Sequence, residues 1–209
     1  MSSEAGEPRP VDTARIERAV RELLLAIGED PDRPGLRRTP TRVANAYADF
    51  FSGMVVNATE LLHDAVPLDV GITDRSAGAG LATSDAVLVR EIDFRSICEH
   101  HLLPFVGSAH IAYLPGDRVV GLGRIASVVE TLASRPQLQE RLAEEIADTL
   151  EVGLTPKGVL VVLEAEHRCV TARGSRQRRS STVTVVGRGG LAEPAARAEL
   201  MALIGARDS

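Results

Sequence analysis

Both cysteines of this 209-residue chain lie beside histidines, as Cys98-Glu99-His100-His101 and as His167-Arg168-Cys169. Thiolate and imidazole are ligands that zinc prefers, and a catalytic zinc usually takes three protein ligands and keeps a fourth position for water. Cys98, His101 and Cys169 supply that number. Cys98 and His101 are three residues apart, a separation that a tight turn or one helical turn folds around a single ion. Residues 158–169 form a β-branched, apolar run that reads as a strand, so His167 and Cys169 are expected on one strand face. Glu99 and His100 are left over for chemistry. The competing reading is a pair of packed thiols behaving as small hydrophobes, with histidines that cap a turn.

Stepping outward, the length suits one domain with a real core, or a small helical arm plus one domain. With 44% hydrophobic and 25% charged residues the composition is that of an ordinary soluble globular protein. A net charge of -5 argues against a general nucleic-acid surface. No apolar run is long enough to span a bilayer, and the N-terminus has no basic start followed by an apolar stretch. Two cysteines assigned to a metal provide no disulfide framework, and the expected compartment is a reducing cytoplasm.

Residues 1–10 are polar and proline-containing and read as a disordered tail. A helix capped by Asp12 or Thr13 runs to about Ile27, with Ile16, Val20, Leu23, Leu24 and Ile27 at helical spacing, and Gly28 ends it. Thr39-Pro40 opens a second helix to about Phe51. These make a helical region over 11–70. A Gly-, Ala- and Ser-rich loop follows at 71–84. Strands are expected at about 86–94 and 107–114. Two helices then lie between 123 and 150, broken at Arg135-Pro136. Strands near 158–171 and 180–186 and a closing helix at 194–204 complete the chain. Strand, strand, helix, helix, strand, strand suggests an α+β unit over 71–209, with helices on one face of an antiparallel sheet.

Arg173, Arg176, Arg178 and Arg179 crowd one stretch, and guanidinium groups suit phosphate. Lys157 is the only lysine, so an arginine-rich composition is the alternative explanation; Arg173 is the favoured phosphate ligand.

The elements SICEHHLLPFVGSAHIAYLP (96–115), RPQLQERL (135–142) and AEHRCVTARGSR (165–176) together resemble GTP cyclohydrolase I, in order and spacing, over most of the chain from about Thr39 onward. The resemblance implies the tunnelling fold, in which such sheets join around a ring into a barrel and two pentameric rings stack as a homodecamer with active sites between subunits. It implies hydrolysis of GTP at C8, release of formate and rearrangement to 7,8-dihydroneopterin triphosphate, for folate or for a specialised deazapurine product. Zinc on Cys98, His101 and Cys169 would lower the pKa of bound water. His167 is the expected general acid, His100 an aid to proton transfer or a ribose contact, and Glu99 a further candidate catalytic group. Gln139 and Glu140 carry over as base-binding residues, since a carboxylate meets guanine N1–H and its exocyclic amine with two parallel bonds. A solvated helix face is the other reading of that stretch.

Phosphate recognition departs from the family pattern. Members commonly have Gly-Leu-Ser-Lys with an arginine three residues further on; here the stretch is Gly121-Leu122-Gly123-Arg124, with Ser127 in the arginine's place. Arg124 keeps the charge, and Arg42, Arg173 and Leu122 carry over as substrate contacts. One missing charge-assisted bond weakens binding by roughly one to two powers of ten. Two other readings stay open: a non-catalytic paralogue with a structural zinc whose fourth ligand is His100 or His167, and a related enzyme acting on another purine or pterin.

Overall fold

The computed structural model describes residues 9–68, 86–173, 177 and 179–206. The loop expected at 71–84, Arg176, Arg178 and most of the expected tail lie outside them. The chain divides into two compact units, one up to Val56 and one from Asn57.

In the first unit, α1 (Thr13–Ala26) starts where the Asp12 carboxylate accepts from the Arg15 amide at 2.9 Å, satisfying one of the donors that a helix start leaves open. Gly28, at φ 84°, takes the left-handed conformation past its end. α2 (Thr39–Phe50) has Pro40 in its first turn, where the missing N–H costs nothing. The two helices pack on each other, and Arg21 clasps Asp32 with bonds of 2.9 and 2.7 Å.

The second unit is built on a five-stranded sheet. Its elements run β1 (Val66–Pro67), β2 (Val87–Cys98), β3 (Pro104–Leu114), β4 (Arg118–Val119), α3 (Leu122–Ala133), β5 (Pro136–Gln137), α4 (Gln139–Leu154), β6 (Gly158–His167), α5 (Arg168–Thr171), β7 (Thr182–Gly189) and α6 (Pro194–Gly205). The strand order is β5-β2-β3-β6-β7, antiparallel throughout except where β5 runs parallel to β2; β1 and β4 pair separately. The expected order of two strands, two helices and two strands is present. β5 is an addition: residues 135–137 were expected only to interrupt two helices, yet Pro136 and Gln137 pair with Ile97 and Cys98.

Alternation along the strands sends successive side chains to opposite faces. Ala109, Ile111 and Tyr113 on β3 and Val159, Val161, Leu163 and Ala165 on β6 point to the face covered by α3 and α4. From α4, Leu142, Ile146, Leu150 and Leu154 enter that core at a spacing of four and are fully buried, each contributing about 1.5–3 kcal/mol relative to exposure. On the opposite face Ala112, Leu114, Leu160 and Val162 meet Leu191 and Leu200, the latter on α6. The two main helices therefore share one face as expected, while α6 closes one end of the other. Further along that second face the lining turns polar, with Asp93, Ser108, Glu164 and Glu166 around a shallow groove. At Gly107 a Cβ would lie 1.9 Å from the Glu164 carbonyl oxygen, so only glycine allows β3 and β6 to approach here.

Among the described residues no helix is long and apolar enough to cross a membrane.

Candidate functional site

The two cysteine-bearing stretches meet at one end of the sheet because β2 and β6 both pair with β3. β2 stops at Cys98, and the turn to β3 is closed by two backbone bonds of 2.9 Å, Cys98 N–H to Leu103 C=O and Leu102 N–H to Cys98 C=O. Leu102 takes φ 51° to complete it. The reversal carries His101 back over Cys98. Of the two expected geometries for this pair, a tight turn or one helical turn, the tight turn is the one present.

The expected strand to Cys169 is corrected. β6 ends at His167, whose register partner is Phe105, the second residue of β3. Before it stands Pro104, which has no N–H to offer, and β7 pairs with β6 only as far as Ala165. With no ladder to extend, the chain turns into α5, and Cys169 is delivered by a helical turn rather than by the strand face shared with His167. The three candidate ligands converge all the same. Ligand atoms of Cys98, His101 and Cys169 all lie within 4.8 Å of one another, with Cys98 buried, Cys169 half-buried and His101 exposed.

The donors fit a thiophilic divalent cation. Burial pushes the Cys169 thiol above its ordinary pKa, and the neighbouring Cys98 pushes it further. Two sulfurs with one imidazole leave a tetrahedral position open.

Around this centre the segment 136–141 stitches both stretches together. The Gln137 carbonyl accepts from the Glu99 amide at 3.1 Å. Arg141 grips the Glu99 carboxylate with bonds of 2.6 and 3.0 Å, and that hydrogen-bonded guanidinium lowers the Glu99 pKa. Glu99 is thus held as a carboxylate at neutral pH and has no proton to give. His167 stacks on Phe105, with centroids 4.7 Å apart and planes 3° apart, while its Nε2 meets Gln139 Oε1 at 2.7 Å. Burial lowers the His167 pKa, and Glu140 partly opposes this. His100 is exposed and edge-on to the His101 ring at 6.3 Å.

The remaining expected residues separate by environment. Glu140 sits exposed in the first turn of α4, where the helix dipole favours its negative charge. Gln139 is buried, 1% exposed. Arg124 is exposed and its Nε and Nη2 both donate to Asp64 Oδ2, at 2.8 and 2.6 Å. Leu122, the first residue of α3, is 59% exposed. A Cβ on Gly123 meets nothing within 4 Å, so space does not forbid a serine there. The Ser127 hydroxyl donates to the Gly123 carbonyl at 3.1 Å. Arg173 is exposed just beyond α5, and its charge acts to lower the Cys169 pKa against the larger effect of burial. Arg42 is exposed on α2, in the unit up to Val56.

Three partners of the candidate residues carry no signal in the sequence: Phe105, Arg141 and Asp64. Each matters through a partner 42 to 62 positions away. Only the strand register and the helix packing reveal such pairs.

A family model described as GTP cyclohydrolase I matches residues 16–205. A protein named GTP cyclohydrolase 1 from Leifsonia xyli is 60% identical over 194 residues, covering 93% of this chain and 96% of that protein. One of the same name from Clostridioides difficile is 50% identical over 196 residues, covering 93% and 97%. Among solved structures, an archaeosine synthase QueF-Like in the apo form aligns with 51% of this chain and 95% of its own, at 17% identity and a TM-score of 0.42.

Proposed function

The chain belongs to the GTP cyclohydrolase I family, and on that premise we propose that it is a zinc enzyme converting GTP and water to formate and 7,8-dihydroneopterin triphosphate. The observation that carries this reading is the convergence of Cys98, His101 and Cys169 within 4.8 Å, beside a histidine held by stacking and a hydrogen bond. Zinc held by these three residues would supply Lewis acidity and water activation at neutral pH.

The protein groups divide the remaining work. Glu140, at the start of α4, is the acceptor for guanine N1–H and the exocyclic amine. His167 moves the proton at the imidazole ring of guanine as it opens, and again in the sugar rearrangement, which needs acid and base more than metal. His100, exposed beside His101, serves the ribose side. Glu99, kept ionised by Arg141, acts by holding the 98–101 turn against α4 and not as an acid. Arg42, Arg124 and Arg173 supply charge for the triphosphate, and Leu122 lies at the uncapped N-terminus of α3, where backbone N–H groups favour anions.

Edges of the sheet support assembly. β7 ends it on one side, and on the other β5 covers β2 only at Ile97 and Cys98. Among the described residues these edges carry no further strand, and such edges pair with other strands, as a ring of five copies requires, with two rings stacked as a decamer and sites between subunits. A cytoplasmic enzyme feeding tetrahydrofolate, or a specialised deazapurine product, is the setting proposed.

The test is formate release from GTP by zinc-loaded protein, followed together with the ultraviolet spectrum of a dihydropterin, with GMP in parallel. Both products from GTP support the reading. One bound zinc per chain with no formate from either substrate would overturn it in favour of a structural zinc.

A further inference from the structure

Gln139 is the first residue of α4, and its side chain is bonded at every polar atom. The amide Nε2 donates to two backbone carbonyls, Leu163 on β6 at 3.1 Å and Thr182 on β7 at 2.9 Å. Carbonyls only accept, so the amide has one orientation: nitrogen toward the strands, Oε1 toward His167. Oε1 also only accepts. The 2.7 Å contact to His167 Nε2 is therefore a bond donated by the ring, and Nε2 carries the hydrogen. Phe105, parallel to the ring at 4.7 Å, fixes its plane while Gln139 fixes its rotation within that plane.

We infer that Gln139 is a positioning residue acting through His167, not a contact to the purine: it holds the ring with hydrogen on Nε2 and leaves Nδ1 as the only lone pair of the neutral imidazole. A purine contact would require Gln139 to release a bond at a position 1% exposed, and a buried amide group left without a partner is costly. Glu140, next in sequence and exposed, has no such obligation. The base is then read by Glu140, and the preceding glutamine sets which nitrogen of His167 faces the reaction. The kinetic part of the inference rests on the cyclohydrolase reading; the spectroscopic part does not.

The experiment has two arms. In full-length protein with nitrogen-15-labelled histidine, metal-stripped and zinc-loaded, the His167 signals are assigned by their loss in His167→Asn. At a pH where the ring is neutral, Nε2 is expected as the protonated type and Nδ1 as the unprotonated type; hydrogen on Nδ1, or a mixture of the two, overturns the inference. In the second arm Gln139→Met is compared with wild type on GTP and on ITP, which lacks the exocyclic amine. The expected result is a kcat lower by roughly ten- to a hundredfold, with KM for GTP and the GTP-over-ITP preference both within about threefold. A raised KM with the preference lost would show a purine contact and sink the inference. Should Gln139→Met fail to fold, the nitrogen spectrum of the wild type decides alone. If wild type releases no formate, the cyclohydrolase reading fails while the spectrum still answers the question about Gln139.

Discussion

Gln139 and Arg124 both entered as expected substrate ligands, and they now stand in opposite surroundings. Gln139 is sealed under the strands with three bonds; Arg124 lies in solvent with one carboxylate, Asp64, sharing its charge. The difference separates two kinds of site. Where bond-making chemistry is proposed, the protein has arranged stacking, an oriented amide and converging candidate metal ligands before any ligand arrives, which is how electrostatic groups contribute to a transition state without reorganising. At the proposed phosphate end the charge is exposed and solvent-screened. Such groups attract a polyanion without specifying much geometry.

The largest effect that bears on this contrast is at the metal. Cys98→Ala or Cys169→Ala is expected to remove stoichiometric zinc and to lower formate release by at least about three powers of ten, checked by metal analysis and turnover on the same sample. Full activity without metal would break the preorganised end of the comparison.

Next comes Arg141→Met, which releases Glu99 and loosens the 98–101 turn from α4. Groups that orient ligands without binding the ion commonly change affinity by ten- to a hundredfold. Because this pair is partly exposed, the expectation is about tenfold weaker zinc, read by competition with a chelator. No change would place Glu99 and Arg141 with the loose, solvent-screened pairs.

A smaller effect is expected from Asp64→Asn. Freeing Arg124 should lower KM for GTP by roughly two- to fivefold at low salt, with kcat unchanged and the gain fading as salt rises. A KM that rises instead would show Asp64 to be orienting Arg124, and the phosphate end to be as arranged as the metal end.

The smallest effect tests burial away from the site. His110 is 6% exposed, and its Nδ1 accepts from the Glu91 amide at 3.4 Å, where β2 is irregular between Val89 and Ile92. Burial lowers its pKa from the ordinary 6.5; Glu91 and Glu164 oppose that and Arg90 adds to it. The unfolded chain thus takes the proton first. Stability from the neutral ring is complete above about 6.5 and declines as pH falls through the window below it. His110→Gln should flatten the acid limb of a denaturation profile as pH falls below about 6.5; an unchanged slope would show that the ring titrates as if exposed.

Residue type and local spacing made several features legible. Cys98 and His101 announce a tight turn or one helical turn, Asp12 or Thr13 a helix start, and Ile16, Val20, Leu23, Leu24 and Ile27 a helical period. Each of these depends on neighbours within about one turn of chain. The candidate ligand set was readable although the route to Cys169 was not: its membership follows from side-chain chemistry, whereas the end of β6 follows from Pro104 and the limit of β7, neither of which lies nearby in sequence.

By itself, then, the sequence determined which atoms were able to bind a metal, which stretches were apolar at strand or helix period, and which family motifs the chain carries. Tertiary structure decided what each polar side chain is free to do. Gln139 and Glu140 are adjacent and chemically similar, yet one is consumed by carbonyls of β6 and β7 and the other faces solvent. Arg124 is a free cation on paper and is shared with Asp64 in the fold. Hydrogen bonds and charges are settled by whichever partner packing brings within about 3 Å, and for these residues that partner comes from a remote part of the chain.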